Sequence, residues 1–302
     1  PEAFTAALVT CASPLGLLIP PSAHMVLYSW AGRQSMLACF LATVVPGVIL
    51  MILLSITSIF LLRNNKDISV RSKMNFQDFA SMTVKRTSSA LPALIMPVIV
   101  LGGIYGGYYT PTEAAAIAVV YTIPVGFFIY RKLTLKNLGE VLIETASTTG
   151  VVMVMIFCTM MLSRIYIMED LPGIITGFLE RFAVSRTVIL LGVNVLLLII
   201  GMLMDDTSAM LLCAPILIPV LKEFGVDPIQ FAGIIGVNLG IALVTPPTAP
   251  CLYFGSKVMK IDIVAMLPTT MYLLAFAWLP TLILTTYIPE VTLWLPRLVL
   301  GI

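Results

Sequence analysis

Leu15-Gly16-Leu17-Leu18-Ile19-Pro20-Pro21-Ser22-Ala23 and Leu239-Gly240-Ile241-Ala242-Leu243-Val244-Thr245-Pro246-Pro247-Thr248-Ala249 read as two copies of one pattern. Each gives Leu-Gly, a short apolar link, Pro-Pro, a hydroxyl residue and Ala, the second link being two residues longer. Each lies in the middle of a long hydrophobic run, residues 3–31 and 229–256. Two successive prolines remove two amide donors and force the residues before them off helical geometry, so a helix through either run must break. A broken helix leaves unpaired carbonyls at one half-helix end and unpaired amides at the other.

Composition places these breaks in a membrane. Of 302 residues, 59% are hydrophobic and 11% charged, and the mean hydropathy is +1.05. A soluble domain carries about 25% charged residues. Further hydrophobic runs occupy 36–62, 91–109, 114–130, 146–168, 187–204, 207–221 and 264–288. At about 20 apolar residues per crossing, this predicts an all-α polytopic membrane protein. A net charge of +2, with no basic patch among aromatics, argues against nucleic acid as a partner. Five cysteines, at 11, 39, 158, 213 and 251, form no close pair and read as small buried apolar residues. One histidine, His24, leaves almost no scope for zinc or histidine-based catalysis. No Ser–His pairing is present either, so an enzyme is not expected. The first residue is Pro1 and no signal peptide opens the chain, so the numbering is expected to begin inside a longer protein.

Charge then orients the repeat. The stretch Arg63 to Arg86 carries six of the 17 Lys and Arg; Arg131, Lys132 and Lys136 form a second cluster, Lys257 and Lys260 a third. These loops are expected to be cytoplasmic. The first broken segment therefore runs outward and the second inward, so the copies are inverted. Inverted copies with breaks in corresponding places point to a secondary transporter with alternating access. Met74 to Ala90 and Thr134 to Ala146 alternate at helical spacing, either as interfacial amphipathic arms or as solvated loops. Residues 187–203 and 207–221 flank Asp205-Asp206-Thr207-Ser208. An arm of about 15 residues rises about 22 Å, short of the roughly 30 Å hydrocarbon core, which favours a re-entrant hairpin over 187–221. The chain divides into a first broken helix (1–32), scaffold-type crossings and arms (33–145), a transport region with hairpin and second broken helix (146–260), and a last crossing with tail (261–302).

The site chemistry follows from the breaks. Na⁺ takes hard oxygen ligands, and a half-helix carboxyl end offers carbonyls and the negative end of the helix dipole. The carbonyls of Gly16, Leu18 and Pro20 are candidates for one ion. Those of Gly240, Ala242 and Val244, with the Thr245 hydroxyl, are candidates for another. Asp206, Thr207 and Ser208 at the hairpin tip add to the set, and Asp206 reads either as a cation's countercharge or as a helix cap. Ser22 and Thr248, at the amino ends of the following half-helices, are placed to face an anionic substrate. His24 reads as a proton carrier or as a packing residue. Gly102 to Gly107 lies in a hydrophobic segment and follows no strand, so close packing explains it better than a nucleotide loop. Thr110-Pro111-Thr112-Glu113 reads as a helix start.

The stretch 15–22, the run Gly103-Ile104-Tyr105-Gly106-Gly107-Tyr108-Tyr109-Thr110-Pro111-Thr112-Glu113-Ala114-Ala115-Ala116 and Thr245-Pro246-Pro247 resemble signatures of one family. It is the large membrane subunit of tripartite ATP-independent periplasmic (TRAP) transporters. The resemblance implies an inner-membrane, elevator-type carrier for Na⁺-coupled uptake of an organic acid, such as a dicarboxylate, sialic acid or another sugar acid. It implies delivery by a periplasmic binding protein, a small membrane subunit, separate or fused N-terminally, and no cofactor beyond the coupling ion. In that family two hairpins and two broken helices form the moving domain. The second hairpin matches 187–221, while the first, normally just upstream of the first break, has no counterpart, so the chain resembles the C-terminal two-thirds of the subunit. A binding-protein-independent Na⁺ or H⁺ carrier of related architecture is the alternative, and a membrane-embedded lipid enzyme a more distant one.

Overall fold

The computed structural model describes residues 2–63, 76–181 and 185–301, which form helices joined by short breaks and turns, with no strand among them. In chain order the helices begin α1 (Glu2–Ala12), α2 (Leu15–Leu18), α3 (Ala23–Ala31), α4 (Met36–Leu62) and α5 (Phe76–Tyr105). There follow α6 (Pro111–Pro124), α7 (Leu135–Met168), α8 (Leu171–Arg181), α9 (Arg186–Leu203) and α10 (Asp206–Glu223). The last are α11 (Pro228–Ala242), α12 (Pro250–Met259), α13 (Ile263–Leu273), α14 (Leu279–Tyr287) and α15 (Glu290–Leu300). Among the described residues six helices are long and apolar enough to cross a membrane, and the bent pair Glu2–Leu18 and Ala23–Ala31 makes a seventh. The chain is an all-α polytopic membrane protein.

The helices form two compact units, one from Pro1–Asp67 with Ile156–Ile302, the other Ile68–Met155. In the first, α11 is the axle. All 14 residues from Ile229 to Ala242 are buried, against α4, α9, α10 and α14. Its glycines admit the neighbours: a methyl on Gly236 would sit 3.2 Å from Leu18 and 3.3 Å from Met25. The long apolar helix α4 starts where Ser35 accepts from the Ala38 amide and also packs on α2, α3 and α15. Several buried amide and hydroxyl side chains of this unit pair with one another or with backbone. Asn238 Nδ2 donates to Asn194 Oδ1 (2.7 Å), Asn194 Nδ2 to Thr286 Oγ1 (2.9 Å), and Gln230 Nε2 to the Thr286 carbonyl (3.0 Å). These bonds tie α9, α11 and α14 together where no water can substitute.

In the second unit α5 and α6 pack antiparallel, with Tyr121 Oη donating to the Pro92 carbonyl at 2.8 Å and Tyr130 Oη to that of Ser89 at 3.0 Å. The glycine run ends α5: Gly107 takes a positive φ of 71°, the Tyr108 amide returns to the Gly103 carbonyl, and the Tyr109 ring lies over Gly103. Thr110 and Glu113 form a reciprocal capping box at the start of α6, as the Thr-Pro-Thr-Glu motif implies. Thr134 to Ala146 does not form a separate arm. It enters α7 without interruption, no proline dividing its period from the crossing that follows. The described part of Met74 to Ala90 is likewise continuous with the α5 crossing. Residues 64–75, with half of the first basic loop and the start of that segment, lie outside the described residues.

Candidate functional site

The first hydrophobic segment breaks twice. Ser13 and Pro14 interrupt α1 and α2, a break that the Pro-Pro pattern does not announce. The expected break follows: Ile19 is extended (φ −88°, ψ 119°), Pro20-Pro21 is cis, and Ser22 is extended before α3. The Ile19 amide closes on the Leu15 carbonyl at 2.9 Å. Among the described residues no donor reaches the carbonyls of Gly16, Leu18 or Pro20. On the far side the amides of Ala23, His24 and Met25 have no acceptor among the described residues, and the first bond into α3 is from Val26 to the Ser22 carbonyl. Ser22 has the chemistry of a cap but makes no capping bond; its hydroxyl is buried and without a partner. The amino end of α3 thus presents three amides and a hydroxyl, a ready anion site.

The second break is built differently. Beyond α11 the Val244 amide bonds the Ile241 carbonyl (3.1 Å) and the Thr245 amide bonds that of Ala242 (3.2 Å). The Thr245 hydroxyl donates to the Ile241 carbonyl at 2.7 Å, leaving its oxygen lone pairs free. Gly240 and Val244 keep carbonyls with no donor among the described residues. Ala242, expected to offer an unpaired carbonyl, already accepts one bond, because the chain tightens into i→i+3 turns before the prolines. Pro246-Pro247 is cis, and Thr248 Oγ1 donates to the Met202 carbonyl at 2.7 Å. The amino end of α12 offers no free amide: Pro250 has none, Cys251 bonds the Leu243 carbonyl, and Leu252 and Tyr253 bond that of Ala249. Of the two residues placed against an anionic substrate, Ser22 is open and Thr248 is committed to the hairpin.

The turn that joins α9 to α10 contacts both breaks. Met204 and Asp205 are extended, and Asp205, rather than Asp206, caps α10, accepting from the Ser208 amide (2.9 Å) and the Ser208 hydroxyl (2.6 Å). Ser208 therefore spends its proton on the cap. Asp206 is free to turn outward: Oδ1 accepts from the Thr207 amide (3.0 Å), and Oδ2 lies 2.7 Å from His24 Nε2. That approach is an ion-pair contact whose angles are not those of a hydrogen bond, and Nε2 has no other partner. The tip is thus held to the second break through Thr248 and Met202, and to the first through His24 and Asp206.

Side chains that the sequence did not single out fix this arrangement. Trp278 is fully buried and its Nε1 donates to the Cys11 carbonyl at 3.2 Å, while its ring faces Gly240. Tyr28 Oη donates to the Pro228 carbonyl at 2.6 Å. Tyr28 beside Pro228, Leu18 and Met25 beside Gly236, and Pro14 beside Gly240 show that the first broken segment runs antiparallel to α11. Leu18 and Val244, one from each break, share one apolar cluster. None of these contacts has a local signature, since each joins residues far apart in the chain, from 38 positions for Trp278 and Gly240 to 267 for Trp278 and Cys11.

Comparison with known proteins agrees on one family. The family model described as the tripartite ATP-independent periplasmic transporter, DctM component, matches residues 1–291. The C4-dicarboxylate TRAP transporter large permease protein DctM of Pseudomonas aeruginosa is 38% identical over 98% of this chain and 68% of its own length. The sialic acid TRAP transporter large permease protein SiaM of Vibrio cholerae is 33% identical over 99% of this chain and 68% of its own. The isethionate TRAP transporter permease protein DctMQ of Oleidesulfovibrio alaskensis is 34% identical over 96% of this chain, which covers 45% of that longer protein. Broken helices with open carbonyl and amide ends, the apolar crossings and these likenesses lead to one conclusion: the chain belongs to the DctM family of TRAP transporter large permeases, inner-membrane transport proteins rather than enzymes.

Proposed function

We propose that this chain forms the membrane pathway of a Na⁺-coupled carrier that takes up an organic anion from a periplasmic binding protein, working with a small membrane subunit. One observation carries the reading. Two helix breaks meet at a hairpin tip, and they present opposite chemistry: unpaired carbonyls of Gly16, Leu18, Pro20, Gly240 and Val244 on one side, unpaired α3 amides with the buried Ser22 hydroxyl on the other. Carbonyl oxygens at half-helix ends suit a hard monovalent cation, and half-helix amino ends suit a carboxylate. Asp206, Thr207, Ser208 and Thr245 complete the cation side, and Ala242 shares its carbonyl between Thr245 and an ion. The first break supplies the anion half-site, with Thr248 serving chiefly to hold the hairpin.

The relatives support an anionic substrate. They are named for C4-dicarboxylates, sialic acid, isethionate and 2,3-diketo-L-gulonate, and all four carry a carboxylate or sulfonate group that α3 amides can bind. Movement of hairpin and broken helices as one body, an elevator, is the transport step that the tight Thr248 and His24 links favour. A proton-coupled carrier is the competing reading, favoured by His24 at the tip. One assay separates them. In proteoliposomes holding the complete transporter and its binding protein, replacing external Na⁺ by K⁺ with the pH gradient retained should abolish uptake; undiminished uptake in K⁺ would overturn Na⁺ coupling.

A further inference from the structure

The His24–Asp206 contact joins the anion side of the site to the cation side, and it rests on no local motif, the two residues being 182 positions apart. His24 is the second residue of α3, two positions after Ser22, whose buried hydroxyl has no partner among the described residues, and its own amide is one of those that lack acceptors. Asp206 is the first residue of α10, freed from capping because Asp205 performs that task. Both side chains are largely covered, at 17% and 21% exposure. Asp206 Oδ2 and His24 Nε2 are therefore nearest polar neighbours across the site, 2.7 Å apart.

We propose that this pair couples the two ligands by exchange: Na⁺ takes over Asp206 while the substrate's carboxylate takes over His24 and the α3 amides. The inference rests on the Na⁺ and organic-anion reading above and adds the device that links them. Na⁺ binding alone pulls Asp206 away and leaves the covered His24 Nε2 with no partner. An anion binding alone takes His24 and leaves Asp206 unpaired in a covered site. Either half-exchange strands one covered polar group, which is costlier than keeping or replacing both partners. Both ligands together convert one internal pair into two external ones with nothing stranded. Each ligand consequently raises the other's affinity, and by the same factor. A carrier built this way resists running down its Na⁺ gradient when no substrate is present.

The test uses the transporter assembled with its small membrane subunit in nanodiscs, with thermal unfolding followed across an Na⁺ titration balanced by choline. His24→Gln removes the competitor for Asp206, so in the absence of any organic anion it should tighten Na⁺ binding by about tenfold, the scale of one polar contact to a carboxylate. Asp206→Asn should weaken Na⁺ binding, and adding His24→Gln to it should change nothing further. With succinate as the anion probe, the wild-type Na⁺ midpoint should fall, and in His24→Gln it should not move. A merely structural histidine would lower the melting temperature without tightening Na⁺, and His24→Asn repeats the test should the glutamine variant fail to fold. An Na⁺ response in the wild type that His24→Gln and His24→Asn leave unchanged, or one that succinate never shifts, overturns the exchange. No Na⁺ response in the wild type overturns the proposed function and this inference with it.

Discussion

Gly240→Ala is the smallest change that should disturb the site from behind. A methyl added at Gly240 would lie 2.6 Å from Trp278 Cη2 and 2.7 Å from Cζ3. Carbon atoms in good contact sit about 3.5–4.0 Å apart, so the ring must retreat by about 1 Å. Neither partner can yield easily. The backbone of α11 is enclosed on all sides, and Trp278 is fully buried with its Nε1 held 3.2 Å from the Cys11 carbonyl. Overpacking of this kind costs about 1–3 kcal/mol. Stretching or losing the indole bond adds about 1 kcal/mol, and the better helix propensity of alanine returns about 1 kcal/mol. The net expectation is a destabilisation of about 1–3 kcal/mol, read as reversible unfolding in detergent. Trp278→Phe supplies the control, because a phenyl ring lacks both clashing carbons. In that background Gly240→Ala should cost little or gain, giving a coupling energy of about 1–3 kcal/mol. A Gly240→Ala protein as stable as wild type, or equally destabilised in both backgrounds, would refute the packing argument.

Asp205→Ala should lower stability by about 1 kcal/mol through the lost cap of α10, while Asp205→Asn should be nearly neutral; chemical denaturation of both variants checks this. Replacing Pro246 and Pro247 by alanine restores two amide donors, letting the helix close over the carbonyls of Gly240, Ala242 and Val244. Folded protein with lost Na⁺-driven uptake is the expected result, the same change at Pro20 and Pro21 should behave alike, and normal uptake in either would move the ligands elsewhere. Asn194→Leu, although more apolar, should destabilise by about 1 kcal/mol, because it removes partners from both Asn238 and Thr286; a gain in thermal stability would show that these bonds contribute nothing net.

What the sequence reveals here divides along a physical line. The Pro-Pro breaks were legible because missing amides act on their own four residues, whatever surrounds them. The start of α6 was legible for the same reason, its capping box spanning Thr110 to Glu113. At the hairpin tip the reading slipped by one residue. Asp205 and Asp206 are chemically alike, and which one caps depends on where the extended backbone of Met204 and Asp205 gives way to helix. Pro14 was passed over because a single proline inside an apolar run is compatible with a kinked helix, as Pro46 within α4 demonstrates. The hairpin arms were drawn shorter than α9, whose 18 residues rise about 27 Å and so permit a crossing by length. His24 and Trp278 lay beyond reach for another reason. Their partners, Asp206 and Cys11, are set by tertiary approach, and nothing in either neighbourhood encodes it.

The enclosure of α11 has a consequence for how this gene can vary. A helix that meets lipid on one side accepts almost any apolar residue there, so a saturation mutagenesis map of such a helix shows tolerance every three or four positions. From Ile229 to Ala242 there is no such side. The map should show an unbroken block of intolerant positions, in which Gln230 and Asn238 resist change to leucine as firmly as Gly233 and Gly236 resist change to valine. Ordinary apolar drift, which reshapes lipid-facing helices freely, has nowhere to act along this one.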